Sequence, residues 1–164
     1  MTAIADNILK QFMAEVRDEI RNRINEYGMS ASGNTQRNIV EEVQREGRGK
    51  VVGRLFAPEY IDTLIEGRGQ TRSSGGTGIV RQRILQWISD KGIATDNPES
   101  LSWAISKTIH EKGTLLHSRG SNFKGVPRPT GLIERSVTPS RLNALMTLVS
   151  DELRSELVKQ MTDD

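Results

Sequence analysis

The chain has 164 residues and no cysteine, and its 23 lysine and arginine residues against 21 aspartate and glutamate residues give a net charge of +2. This length predicts a single domain that buries a core without metal or disulfide support. The lack of cysteine excludes thiolate metal sites and a cysteine nucleophile, and the small net charge argues against a dedicated DNA-binding protein. Hydrophobic residues make up only 35% of the chain and aromatic residues 4%, so we expect a small aliphatic core, which fits long amphipathic helices and also fits surface reserved for neighbouring subunits.

The N-terminal region predicts one long amphipathic helix over residues 3–27. Apolar side chains recur every four residues, at Ile4, Ile8, Phe12, Val16, Ile20 and Ile24. A four-residue step advances about 400°, so this stripe drifts by about 40° per step around the helix. Its two ends should therefore face different neighbours. The region lacks a signal-peptide pattern and no run of eighteen apolar residues occurs, which predicts neither export nor a membrane span.

Residues 29–57 predict a turn followed by two antiparallel strands. The segment SASGNTQ has the composition of a turn or loop. Strand-forming residue types on both sides of EGRGK predict strands at about 37–46 and 50–57, joined at Gly47–Gly49.

The remaining elements are predicted to be helices separated by glycines. A short helix of about two turns has Pro58 in its first turn and ends at Gly67, and a second helix covers about 79–91 and ends at Gly92. The buried stripe of the second helix is predicted to comprise Ile79, Val80, Ile84, Trp87 and Ile88. A third helix covers 99–112, and its Trp103 should help Trp87 to hold the two helices together. A final helix covers 139–161 behind Thr138 and Pro139, and its apolar edge comprises Leu142, Met146, Val149, Leu153, Leu157 and Met161.

Two long stretches contain basic residues and no acid. The first basic segment, residues 67–89, holds Arg68, Arg72, Arg81 and Arg83, and the second basic segment, residues 112–133, holds Lys112, Arg119, Lys124 and Arg128. Such segments are either solvated surface or contacts for acidic subunit faces or DNA. Contacts between arginine and phosphate do not depend on the DNA sequence, so such residues would suit a channel through which DNA passes. Apart from Phe123, no aromatic residue lies between these cations, which argues against base stacking.

The sequence contains no recognisable catalytic set. His110 and His117 lack metal-ligand companions, GRGQTRSSGGTG lacks the order of a phosphate-binding loop, and no serine lies in GxSxG. The favoured interpretation of Glu66 is an ion pair or a helix-end contact, and that of Tyr60 is a half-buried core residue. We therefore predict no enzymatic activity, no cofactor and no metal.

A series of short motifs occurs in a fixed order over about residues 30–135. After the long N-terminal helix come Ser32-Gly33 with Ile39, the glycine-bracketed hairpin, Tyr60, Ile65-Glu66-Gly67-Arg68, Trp87-Ile88, Lys91-Gly92, Leu101-Ser102-Trp103-Ala104-Ile105, Ile109 and Gly113-Thr114. In this order and spacing the chain resembles the neck and tail-completion proteins of tailed bacteriophages. Thr35 and Asn38 depart from the usual pattern, and the C-terminal helix is long. The type of ring, whether tail completion, tail terminator or another neck ring, stays open.

The resemblance implies a small α+β fold that assembles into a homo-oligomeric ring between portal and tail, in the virion neck, after assembly in the host bacterial cytoplasm. The predicted domain comprises an N-terminal helix (1–28), an α+β core with long basic loops (29–135) and a C-terminal helix with an acidic tail (136–164). Its expected partners are other neck, portal or tail proteins and passing double-stranded DNA, with no membrane. The candidate interface or DNA-passage residues are Tyr60, Glu66, Arg68, Arg72, Arg81, Arg119, Lys124 and Arg128. A DNA-binding monomer, or less favourably a small hydrolase, is the alternative.

Overall fold

A computed structural model describes residues 2–47, 49–71, 78–119 and 129–162 of the chain. Its elements, in order, are α1 (Thr2–Glu26), α2 (Asn34–Arg37), β1 (Val40–Arg45), β2 (Val51–Phe56), α3 (Ile61–Glu66), α4 (Gly78–Asp90), α5 (Pro98–Lys112), α6 (Leu115–Arg119) and α7 (Pro139–Thr162). The long first helix, the antiparallel hairpin, the short helices and the long last helix confirm the predicted α+β fold.

The chain forms two compact units, each assembled from separated segments. Unit 1 contains Met1–Ile24, Arg37–Ala57 and Leu132–Asp164, and unit 2 contains Asn25–Gln36 and Pro58–Gly131. Unit 1 therefore holds most of α1, the hairpin and α7, whereas unit 2 holds α3 to α6. The single-domain organisation stays a prediction.

The core of unit 1 lies at the C-terminal half of α1. Val16, Ile20 and Ile24 are buried, together with Ile39 just before β1 and Leu132 before α7. The apolar residues of the N-terminal half of α1 are only partly buried. This difference follows from the drift of the stripe, because a rotating apolar line cannot keep its whole length against one small core.

The hairpin of unit 1 pairs its two strands along their full length. The register runs from Val40 opposite Phe56 to Arg45 opposite Val51. The turn closes with a hydrogen bond from the Glu46 amide to the Lys50 carbonyl at 2.9 Å. The predicted strands are thus confirmed, although β1 begins later than residue 37.

The late start of β1 has a local cause in the preceding segment. Asn34–Arg37 form the one-turn helix α2 where a turn or loop was predicted. The Ser32 hydroxyl accepts a hydrogen bond from the Asn34 amide at 3.4 Å, as serine does near helix starts. The turn-like composition therefore marks the entry to a helix.

Unit 2 corrects three of the predictions. Pro58 lies in a turn before α3, since the Ile61 amide bonds to its carbonyl at 2.9 Å and the helix begins at Ile61. Ile79 and Trp87 of α4 are exposed, and Ile88 is the residue of α4 that is buried. Helix α4 packs chiefly on α5, so its buried strip is narrower than its apolar pattern. Trp103 is also exposed and lies under the Lys107 ammonium, 5.2 Å from the ring centroid.

Helix α7 begins where it was predicted to begin. The Thr138 hydroxyl accepts a hydrogen bond from the Arg141 amide at 3.4 Å, and Pro139 is the first helical residue. The helix continues to Thr162 without a buried residue. Across the described ranges, no helix combines the length and apolarity that a bilayer span requires.

Candidate functional site

The two basic segments start side by side in unit 2. The Thr114 amide donates to the Arg68 carbonyl at 2.8 Å, and the Arg68 amide donates to the Thr114 hydroxyl at 2.9 Å. Three residues after Arg68, the Thr71 amide donates to the His110 carbonyl at 3.0 Å. Residues 68–71 are therefore bound alongside residues 110–114, which we name the base of the basic segments.

Two glycines allow this close approach. Gly67 has a φ of 75°, and a Cβ there would lie 2.7 Å from the His117 amide nitrogen. Gly113 has a φ of 79°, and a Cβ there would lie 2.6 Å from the Arg68 carbonyl oxygen. Both positions need a left-handed backbone and empty space, which glycine alone provides. The predicted end of the short helix at Gly67 is confirmed, the helix predicted over 99–112 ends before Gly113, and each glycine also makes room for the neighbouring segment.

The two histidines help to build the base. The Thr71 hydroxyl hydrogen-bonds to Nδ1 of His110, whose Nε2 is buried and has no hydrogen-bond partner among the described residues. The His117 ring packs against Gly69, where a Cβ would lie 3.3 Å from its Cε1. His110 lies in the last turn of α5, at the end of the helix predicted over 99–112, whereas His117 belongs to α6, in a part of the second basic segment where no helix was predicted. The described residues contain no group of three or more histidines, cysteines and carboxylates that could hold a metal ion.

Helix α6 was not predicted from the sequence, although the residue before it, Thr114, is of a type that commonly caps helices. The Thr114 hydroxyl accepts a hydrogen bond from the His117 amide at 3.4 Å, in the geometry of a helix-capping residue. The same hydroxyl accepts from the Arg68 amide. Thr114 therefore both starts α6 and binds the first basic segment, so the glycine-threonine pair at 113–114 was the available signal.

The second basic segment is also anchored near its C-terminal end. Thr130 is fully buried, its amide donates to the Ile65 carbonyl at 2.9 Å, and its hydroxyl donates to the Leu64 carbonyl at 3.3 Å. Both carbonyls belong to α3, whose C-terminal end leads into the first basic segment. The second basic segment thus leaves from the base and returns to the helix beside it.

The structure brings some of the candidate residues together. Glu66 is the exposed last residue of α3, and Arg68 is a half-buried residue of the base. Tyr60 lies before α3, and its hydroxyl hydrogen-bonds to that of Thr35 at 3.1 Å. These three residues lie at the two ends of one short helix.

The other candidates divide into two groups. Arg81 lies on α4 and makes an ion pair with Glu99 of α5 at 3.3 Å, so part of its charge is matched within unit 2. Arg72, Lys124 and Arg128 lie outside the described residues, as does the side chain of Arg119, the last residue of α6. The predicted glycine-rich loop at 67–78 is likewise described only as far as Thr71.

Among the described residues, several ion pairs in unit 1 converge on one arginine. Arg141 of α7 makes ion pairs with Glu19 and, at 3.6 Å, with Glu15, and it donates to the Ser136 carbonyl at 2.8 Å. Its guanidinium also lies 5.6 Å from the Phe12 ring centroid. Arg141 therefore attaches the start of α7 to α1.

A second ion-pair group joins α1 to the hairpin. Arg17 of α1 bonds to Asp18 at 2.8 Å and to Glu41 of β1 at 2.5 Å. The hydrogen bonds from Arg17 hold the pKa of the Asp18 carboxyl below its ordinary value. At the hairpin turn, the hydrogen bonds from Lys50 and then Arg54 lower the pKa of Glu46 in the same way. These groups stabilise unit 1 and have the character of structural contacts.

The base provides backbone and hydroxyl contacts that fix the starts of the two basic segments. Comparison with protein-family models, with curated protein sequences and with solved structures finds no significant match. The functional conclusion therefore depends on the sequence and on this geometry.

Proposed function

We propose that this chain is a structural virion protein that forms a ring in the neck of a tailed bacteriophage, joins the portal or head to the tail, and lets DNA pass. The observation that carries the proposal is the base, from which two acid-free segments leave side by side. In a closed ring, such a pair recurs once per subunit and produces a continuous belt of positive charge. A belt of that kind can contact acidic subunit faces or phosphates without reading sequence.

The distribution of apolar surface supports an assembling subunit. Large apolar side chains are exposed in both units, including Phe56, Trp103 and Met146. Exposed apolar surface beyond scattered single residues is typical of interaction sites. The chain therefore has surface to offer neighbouring copies and other neck, portal or tail proteins, and its location would be the virion neck after assembly in the host bacterial cytoplasm.

A DNA-binding monomer is the second candidate, since the same arginines would also contact duplex phosphates. The Arg81 and Glu99 ion pair reduces the positive charge available for that role. A monomer would bind duplex with a steep salt dependence, because each phosphate contact releases counterions. The mass of the protein in solution and the salt dependence of its binding to duplex DNA therefore distinguish the two candidates.

The test is negative-stain imaging of the purified protein, alone and with portal and tail proteins, together with its copy number in virions. We expect closed rings of one size, and a virion copy number equal to the number of subunits in the ring. A single asymmetric copy per particle would overturn the proposal. Duplex binding by a protein that stays monomeric under every condition would support the second candidate instead.

A further inference from the structure

One side chain of the base binds to both basic segments. The Thr114 hydroxyl accepts a hydrogen bond from the Arg68 amide at 2.9 Å and another from the His117 amide at 3.4 Å. Arg68 belongs to the first basic segment, and His117 belongs to helix α6 in the second. A hydroxyl oxygen has two acceptor lone pairs, and both amides reach it in a single rotamer of the threonine. The path of the first basic segment and the start of α6 therefore depend on the same side-chain torsion.

Helix α6 depends on contacts outside its own residues. It has five residues, whereas isolated helices shorter than about 12 residues are marginal in water. Its first turn closes with a bond from the Ser118 amide to the Thr114 carbonyl at 2.9 Å. Leu116 is buried, so the packing of this side chain and the contacts with the base stabilise the helix.

Residues 67–71 of the first basic segment depend on α6 in turn. They form no helix or strand, so their path is set by the groups that they contact. The His117 ring lies against Gly69, and an added Cβ at Gly67 would lie 2.8 Å from the Thr114 hydroxyl oxygen. The Arg68 amide and carbonyl both bond to Thr114. Each of the two stretches therefore provides contacts that order the other.

We propose that Thr114 couples the two basic segments, so that residues 67–71 and α6 bind to the base and leave it as one cooperative unit. Native proteins commonly open in small cooperative units of this kind. The coupling belongs to the isolated chain and does not depend on the proposed neck ring. Only its use by a partner rests on the proposed function: a partner that binds one segment would also favour the ordered state of the other, because coupling between two sites is reciprocal.

Hydrogen exchange of backbone amides, measured by NMR on the full chain, reports the opening of each stretch. The two reporters are the Thr71 amide, which donates to the His110 carbonyl, and the Ser118 amide, which donates to the Thr114 carbonyl. Neither reporter bonds to the Thr114 hydroxyl. Loss of that hydroxyl therefore changes their exchange only through the opening of the stretch that carries them.

In the natural chain, a cooperative unit requires equal protection at the two reporters. We expect protection factors that agree within about threefold, and a higher protection factor for the Ser106 amide in the middle of α5. Reporter protection equal to that of Ser106 would mean that the whole of unit 2 opens, and clearly unequal reporters would mean two independent openings. Either result would overturn the proposal.

Thr114→Val removes the hydroxyl and keeps the branched shape of the side chain. Exchange at both reporters should accelerate by at least about tenfold, because two amides lose their acceptor. Thr114→Ser retains a hydroxyl and should keep exchange within about threefold of the natural chain, since serine caps helices as well as threonine does. Acceleration at one reporter without the other would contradict the coupling.

Thr108→Val is the matched control. It removes an exposed hydroxyl that donates to the Ala104 carbonyl at 2.9 Å within α5. Exchange at both reporters should stay within about twofold of the natural chain. Acceleration by this control equal to that of Thr114→Val would show that the loss of any threonine hydroxyl in this unit has the same effect, which would overturn the proposal.

A reciprocal pair of variants tests the coupling without changing Thr114, and it keeps the test available if Thr114→Val does not fold. Thr71→Val removes the hydroxyl bond to Nδ1 of His110, and Leu116→Ala removes buried apolar surface from α6. We expect Thr71→Val to accelerate exchange at Ser118, and Leu116→Ala to accelerate exchange at Thr71, each by at least about threefold. Variants that accelerate only the reporter of their own stretch would show that the two segments open separately.

Discussion

The base of the basic segments and helix α7 differ in how far their side chains and backbone groups make contacts within the chain. At the base, Arg68, Thr71 and Thr114 place backbone and hydroxyl groups in hydrogen bonds within unit 2, and glycines remove the side chains that would obstruct them. Helix α7 has no buried residue and exposes several large apolar side chains, including Met146 and Met161. The backbone and hydroxyl groups of the base are bonded within unit 2, whereas α7 leaves apolar surface exposed. Substitutions should therefore lower the free energy of unfolding more at the base than on the exposed face of α7.

The largest effect on folding is expected from Gly113→Ala. The new Cβ would meet the Arg68 carbonyl at 2.6 Å on a backbone that already requires a left-handed conformation. The left-handed conformation alone costs roughly 1–2 kcal/mol, so we expect a loss of more than about 2 kcal/mol in the free energy of unfolding. Urea unfolding of the purified chain measures this loss.

Gly92→Ala is the matched control for that substitution. Gly92 has a φ of 63°, but no atom of the described residues lies within 4 Å of an added Cβ, so only the conformational cost of roughly 1–2 kcal/mol applies. Equal losses in the two variants would show that the chain does not approach Gly113 as closely as the structure indicates.

A smaller effect is expected from Arg141→Ala in unit 1. The change removes ion pairs with Glu19 and Glu15 and the hydrogen bond to the Ser136 carbonyl. Because the side chain is about a quarter exposed, we expect a loss of about 1–2 kcal/mol in the same urea experiment. Lys159→Ala, an exposed change at the far end of the same helix, should cost less than about 0.5 kcal/mol. If the two variants unfold alike, Arg141 does not attach α7 to α1.

A still smaller effect should appear as a dependence on pH. The hydrogen bonds of Arg17 lower the pKa of Asp18, so the folded state favours the carboxylate, and this stabilisation is present above the ordinary value of 3.8. It is lost as the pH falls through the lowered pKa. Since the Asp18 side chain is 54% exposed, solvent screening limits the effect to at most about 1 kcal/mol.

Asp18→Asn tests this dependence. The variant should be less stable than the natural chain at pH 7, and the difference between them should shrink well below pH 3.8. A difference that is constant from pH 7 to pH 2 would assign its origin to something other than the carboxylate.

The sequence predicted the parts of the fold that depend on local backbone chemistry. Gly28, Gly67 and Gly92 all have positive φ where helix ends were predicted, because a left-handed residue is a property of its own position. Burial was predicted less well: Ile79 and Trp87 fit an apolar pattern but are exposed, because burial depends on how wide a face the neighbouring helix covers.

At the candidate site, too, the features set by local sequence were predicted and those set by contacts between distant residues were not. Arg68 was identified from its charge and its place after a helix stop. Its bond to Thr114 was not predicted, because the two residues are 46 positions apart and no local pattern encodes a pairing at that separation. The two basic segments were recognised separately, and the structure adds that they share one base.

The smallest effect on folding is expected from the double variant Arg68→Ala and Arg128→Ala. Arg68 contributes to the base through its backbone, which alanine preserves, and Arg128 belongs to the second basic segment outside the described residues. Exposed ion pairs contribute at most about 1 kcal/mol each, so the melting temperature of the isolated chain should change little.

In a closed ring every lost contact recurs in each subunit, and small losses accumulate across the assembly. The variant should therefore fold normally yet give heads that fail to join tails or that leak DNA, as counted by electron microscopy of the particles. Normal infectious particles would separate these arginines from assembly, and a chain that no longer folds would place them in the structure of the subunit itself.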